Sequence, residues 1–177
     1  MSDTPLVETV CEDARWNEDS LGALAEQAAR QTLGHLGLAP AGFEIALLAC
    51  DDARIATLNA QFRDKAAPTN VLSWPVWDLC APEDGGLPDL PDAGPPEAPE
   101  PLGDIALAYE TVRREAEAQG KAFTDHITHL IVHSVLHLLG YDHIRDKDAA
   151  LMEETERKIL AQLGVADPYE DGAVLSR

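Results

Sequence analysis

Residues 133–143 read "HSVLHLLGYDH" and hold three of the six histidines in the chain. Imidazoles gathered in this way either pack a core or bind a metal. His133 and His137 are four residues apart, one helical turn on the same side, which suits joint coordination of one ion. Gly140 follows the last helical residues and can take the left-handed conformation that ends a helix. The chain then returns past the helix end, so His143 can reach an ion held between His133 and His137.

His126 and His129 lie on the same face. At ~100° per residue, the four helix histidines fall within roughly an 80° sector. His129 precedes His137 by eight residues, about 12 Å along the axis at ~1.5 Å per residue. Metal–nitrogen bonds are only ~2.1 Å long, so His129 and His137 cannot share an ion. His129 and His126 are left to support the site, contact substrate or pack. His35, between Gly34 and Leu36, is assigned no chemistry.

Three neutral imidazoles on Zn²⁺ leave a fourth position open for water or substrate, the arrangement of a catalytic site rather than a structural one. Imidazole also suits nickel and other divalent metals, so the expectation is one divalent ion, with zinc first. The residue after His133 is Ser134. A metalloprotease helix places its general-base glutamate there, so proteolysis by that route is not expected. Asp142 is another acid within reach.

Hydrophobic periodicity places this stripe on a helix of roughly 125–139, with Thr124 as a candidate cap. Upstream, "LVETVC" (6–11), "FEIALLAC" (43–50), "NVLSWPV" (70–76) and "GDIALA" (103–108) have strand character. Further helices are expected from Ser20 to near Gly37, from Asp51 or Asp52 through Phe62, over 109–119, and from Asp146 or Asp148 to about Leu163. Short strands mixed with helices predict an α/β, α+β-like fold. It would be a single layered domain with one small mixed sheet of about four strands flanked by helices.

The length of 177 residues suits one catalytic domain with a sizeable core. No apolar run approaches membrane-spanning length. The start, "MSDTPLVETV", lacks the basic and apolar segments of a signal peptide. Cys11, Cys50 and Cys80 are odd in number and widely spaced, which fits neither a disulfide framework nor a metal knuckle. A cytoplasmic protein with no membrane partner is expected.

The net charge of −19 repels polyanions at long range. Part of it sits in residues 78–101, "DLCAPEDGGLPDLPDAGPPEAPEP", where prolines and glycines exclude helix and central strand. This segment is expected to be a long, acidic, mobile loop inserted in the domain.

A second constellation, "LNAQFRDKAAPTNVLSWP" (58–75), joins a helix to a strand and carries Arg63 and Lys65. Arginine suits bidentate phosphate recognition. Together with "HSVLHLLGYDH" and "LGDIALAYETV", this stretch resembles the YbeY family of bacterial endoribonucleases, the rRNA maturation factors. The resemblance runs from about Leu58 to Tyr169. It implies a zinc ion on His133, His137 and His143 and a substrate-cleft arginine at Arg63. It further implies cleavage of single-stranded RNA in 16S rRNA 3′-end maturation and ribosome quality control. Implied partners are ribosomal RNA, the small ribosomal subunit with its proteins, and a ribosome-assembly GTPase.

Two features depart from the family pattern: Ser134 stands where glycine is usual, and the 78–101 loop is long. For RNA to bind so acidic a chain, Arg63, Lys65, Arg113, Arg114 and Lys121 are the candidate basic patch. Two other functions remain open: a ribosome-assembly factor with a structural metal, and a metal-dependent hydrolase of another substrate.

Overall fold

The computed structural model describes residues 4–63 and 69–169. Four strands form one mixed sheet: β1 (Val7–Cys11), β2 (Phe43–Cys50), β3 (Val71–Pro75) and β4 (Glu100–Ala108), in the order β1-β2-β4-β3. β1 and β4 run parallel to β2, and β3 is antiparallel to β4, with Leu47 opposite Ile105 and Ser73 opposite the same Ile105. The helices are α1 (Glu18–His35), α2 (Asp52–Arg63), α3 (Tyr109–Ala118), α4 (Phe123–Leu138) and α5 (Asp146–Gln162). The expected α/β class, with a four-stranded mixed sheet flanked by helices, is what the chain forms. Among the described residues, no helix is long and apolar enough to cross a membrane.

Successive strand side chains face opposite ways, and β2 shows it. Phe43, Ile45, Leu47 and Ala49 are buried against the helical layer, whereas Glu44 and Ala46 are exposed. Leu21, Ala25 and Leu33 of α1, Leu130, Ile131 and Val135 of α4, and Met152 and Ile159 of α5 complete that core. Each large aliphatic side chain buried there stabilises the fold by about 1.5–3 kcal/mol. The residues of alternate parity, Cys50, Leu72, Ala106 and Ala108, form a smaller cluster with Ile55 and Leu58 of α2 on the other face. The rest of that face is an open groove with Val10, Leu48 and Trp74 on its floor and Glu8, Glu12 and Asp104 beside them.

Three local expectations are corrected. The cap of α1 is Asn17, not Ser20: the Asn17 Oδ1 accepts from the Ser20 N–H at 2.9 Å. Helix α4 starts at Phe123 after Ala122, with no side-chain cap, and Thr124 lies inside it. Aromatic packing anchors that end, because the Phe123 ring lies 5.7 Å from both Trp16 and Tyr109.

The third correction concerns residues 78–101, which are tied to the body rather than mobile. Their last two residues, Glu100 and Pro101, already belong to β4, opposite Phe43 and Glu44. The Gly94 N–H donates to the Gly42 carbonyl at 3.0 Å. Arg145 donates to the carbonyls of Pro82 at 3.0 Å and Ala81 at 2.8 Å. The Gly85 N–H reaches Asp148 Oδ1 at 2.8 Å, and the Asp148 N–H reaches Asp84 Oδ1 at 2.9 Å. Backbone carbonyls and an acid at the first turn of α5 are what a proline-rich segment offers in place of a ladder.

Candidate functional site

From 126 to 141 every residue is buried except His133 and His137, which are partly exposed. Apolar periodicity turns the rest of α4 into the core, so only these two imidazoles of its buried stretch meet solvent. Gly140 then takes φ 98°. A Cβ there would also lie 2.7 Å from the Leu79 carbonyl, so both conformation and the docked loop require glycine. The turn brings the His143 ring to 5.4 Å from that of His133, stacked at 24°. The Asp142 side chain accepts from the His143 N–H at 2.7 Å and shapes this turn.

Both exposed helix histidines are held at Nδ1. His133 Nδ1 lies 3.2 Å from Glu156 Oε1, and His137 Nδ1 lies 2.6 Å from Ser73 Oγ. A metal would therefore meet Nε2 of each. Ligating histidines ordinarily have their second nitrogen held by a carboxylate, hydroxyl or carbonyl in this way. The donor types and their supports fit a divalent ion. Among the described residues, no three His, Cys, Asp or Glu side chains are already drawn together into a metal cluster.

Glu156, on α5, is fully buried. Burial alone would raise its pKa. Hydrogen bonds from His129 and then His133 outweigh burial and hold it at about 2. The His129 Nε2 lies 2.9 Å from Glu156 Oε1. Burial pushes the His129 pKa down, so the ring stays neutral and donates. Tyr169 closes the group, with its hydroxyl 3.1 and 3.0 Å from the two carboxylate oxygens. Burial and the Glu156 charge raise the phenol pKa, so the O–H is retained. His129 thus supports the site from within.

The His126 Nε2 pairs with Glu115 Oε1 at 2.9 Å, and the Asn70 amide donates to the same oxygen at 3.0 Å. This buried group fixes the start of β3, just past the segment that follows Arg63. His35 sits apart, 3.2 Å from the Gln162 amide. Ser134 is fully buried, and its hydroxyl has no partner among the described residues.

Arg63 ends α2, but its side chain and all of Lys65 lie outside the described residues. The rest of the expected basic patch does not converge as unpaired charge. Arg113 pairs with Glu117 at 3.6 Å and lies over the Phe123 ring, and Arg114 pairs with Asp52 at 3.7 Å. Lys121 is half-buried, which lowers its pKa.

Reading along the chain missed Ser73, Glu156 and Tyr169. For Glu156 a signal existed: it is a charge set among Ala149, Met152, Ile159 and Leu160, the buried stripe of α5. Ser73 carried none, since its partner is 64 residues away.

A family model described as Endoribonuclease YbeY matches residues 7–164. A Cereibacter sphaeroides protein named Endoribonuclease YbeY is 59% identical over 165 residues, covering 93% of this chain and 99% of that one. A Dinoroseobacter shibae protein of the same name is 58% identical over 164 residues, covering 93% and 90%. The solution structure of TM1509 from Thermotoga maritima superposes with a TM-score of 0.54 at 19% identity, covering 97% of this chain and 99% of that one. That likeness concerns the fold alone.

Proposed function

The chain belongs to the Endoribonuclease YbeY family, and from that premise we propose that it is a metal-dependent endoribonuclease specific for single-stranded RNA. Its proposed role is 16S rRNA 3′-end maturation and ribosome quality control, in contact with the small ribosomal subunit, its proteins and an assembly GTPase. The observation that carries this reading is the exposure of His133 and His137 alone along a buried stretch, with His143 turned back beside them.

His133, His137 and His143 would hold one divalent ion, zinc first and nickel next. When bound, the ion supplies Lewis acidity toward a phosphate oxygen or the attacking nucleophile. Glu156 and Ser73 orient His133 and His137 through Nδ1, so each ring turns the same nitrogen to the site. Arg63 would grip a phosphate and stabilise charge developing on it. Glu115 supports that role at a distance, by fixing Asn70 at the end of the segment that follows Arg63.

The acidic body favours such a local grip. Each arginine whose side chain is described is paired with a carboxylate. RNA affinity would then come from few phosphate contacts rather than from a broad basic face.

The test is cleavage of an RNA bearing the 16S 3′ end, with and without a chelator, followed by metal add-back. Loss with chelator and recovery with zinc supports the reading. A 2′,3′-cyclic phosphate product assigns the RNA 2′-OH as nucleophile, and 3′-hydroxyl with 5′-phosphate ends assign water. Chelator-resistant cleavage, or activity only on small esters or peptides, refutes it.

A further inference from the structure

Resting on the metal site proposed above, we infer that Glu156 is its positioning residue, fixing the His133 ring through Nδ1 from within the core. Glu156 is 0% exposed and lies on the apolar stripe of α5, between Met152 and Ile159. A position like that is ordinarily filled by another aliphatic residue. Its partners are two imidazoles and a phenol: His129, His133 and Tyr169. No arginine or lysine pairs with it among the described residues. A carboxylate taken out of water is costly unless a cation pairs with it.

Of the two imidazoles bonded to the carboxylate, His129 is 1% exposed whereas His133 is partly open. An ion on His133 Nε2 would sit one imidazole away from the carboxylate. Glu156 would then favour the cation by holding the ring and its tautomer.

The rest of the molecule protects this arrangement. Past α5 the chain folds back, and Asp167 accepts from the Tyr169 N–H at 2.8 Å and from Arg157 Nε at 3.3 Å. The Arg157 guanidinium lies 5.2 Å from the Tyr169 ring centroid. This brace keeps the phenol over the carboxylate and water away from it. A residue serving packing alone would need no such seal.

The experiment compares wild type, Glu156→Gln, Glu156→Asp and His133→Ala in the full chain. Zinc affinity is read by competition with a chromophoric chelator, and melting temperature is read with and without zinc. Ligand geometry is read from the visible spectrum of the cobalt(II)-substituted proteins. Glu156→Gln should weaken zinc binding about 10–100-fold and alter the cobalt spectrum. Its metal-free form should melt below the wild-type temperature, because the hydrogen bonds that hold the carboxylate ionised are weakened. Glu156→Asp keeps the charge but shortens its reach, and should bind with intermediate affinity. That variant keeps the test decisive if the amide variant does not fold.

Unchanged zinc affinity and cobalt spectrum in both Glu156 variants overturns the inference. So does weakened zinc binding with an unchanged cobalt spectrum, which marks a merely structural role. If wild type and His133→Ala bind zinc equally poorly, the metal site itself is refuted, an outcome distinct from failure of Glu156 alone.

Discussion

Ser73 Oγ on β3 lies 2.6 Å from His137 Nδ1 on α4. The edge strand and the histidine helix meet there, opposite the nitrogen that a metal would take. This hydrogen bond helps to orient a ring whose chain neighbours Leu136 and Leu138 are core. Ser73→Ala removes the bond and little volume. Metal affinity should fall about tenfold, within the range for lost supports of metal ligands, while the fold persists. Competitive zinc titration beside a melting curve checks this, and unchanged affinity refutes it.

His133 and His129 touch the same oxygen of Glu156 but should respond in opposite ways. His133→Ala, like His137→Ala and His143→Ala, should lose bound metal at modest cost in stability, since these rings are partly exposed. His129→Ala should keep metal at wild-type stoichiometry. It removes a buried donor, so it should destabilise the fold by roughly 1–3 kcal/mol. Metal content per chain and denaturant midpoints separate the two patterns. An empty site in His129→Ala with a full one in His143→Ala contradicts the ligand set.

The parts of this molecule that were legible in its sequence are those whose cause is local. The run Phe43–Cys50 is a strand with the expected bounds, because its alternation and its flanks both lie within the segment. The His133 and His137 spacing and the Gly140 turn depend only on helical geometry and a left-handed residue. Asn17 displaced Ser20 as the cap because two good capping residues stand three apart, and tertiary context selects between them. Ser73 and the anchoring of 78–101 stayed hidden for another reason. Their partners are distant in sequence, and the carbonyls of Ala81 and Pro82 that Arg145 grips leave no trace in residue type.

Under the proposed function Arg63 would grip RNA, since every arginine whose side chain is described is paired with a carboxylate. Arg63→Glu should reduce cleavage about 10²–10³-fold, the usual cost of losing one preorganised charge donor in a site, with metal content unchanged. Arg63→Lys should be intermediate, since the charge survives without the bidentate fork. If Arg63 and Lys65 make two phosphate contacts, log affinity for single-stranded RNA should fall against log salt with a slope of only about −1.4. Full activity in Arg63→Glu, or a much steeper slope that Arg63→Glu leaves unaltered, excludes this role.

Arg145 joins the acidic segment to the turn that carries His143. Its guanidinium donates to the Pro82 and Ala81 carbonyls and pairs with Asp148, whose carboxylate in turn accepts from the Gly85 N–H. Leu79 lies against Gly140 on the other side of the same turn. Loss of the guanidinium strips two carbonyls of their donor and frees Asp148 from its pair. Arg145→Ala should therefore destabilise the fold by roughly 1–3 kcal/mol. The segment's backbone should loosen first, because it has no sheet ladder between Pro75 and Glu100 to hold it. Hydrogen exchange should quicken at Gly85, Gly86 and Asp148, whose N–H groups are bonded across or within this clasp. It should stay slow at Leu47 and Ile105 in the sheet. Metal affinity should weaken as the His143 turn gains freedom, while His133 and His137 keep their own supports. If exchange at these amides matches wild type, the clasp does not hold the segment, and the Gly94 to Gly42 bond and the β4 pairing suffice to dock it.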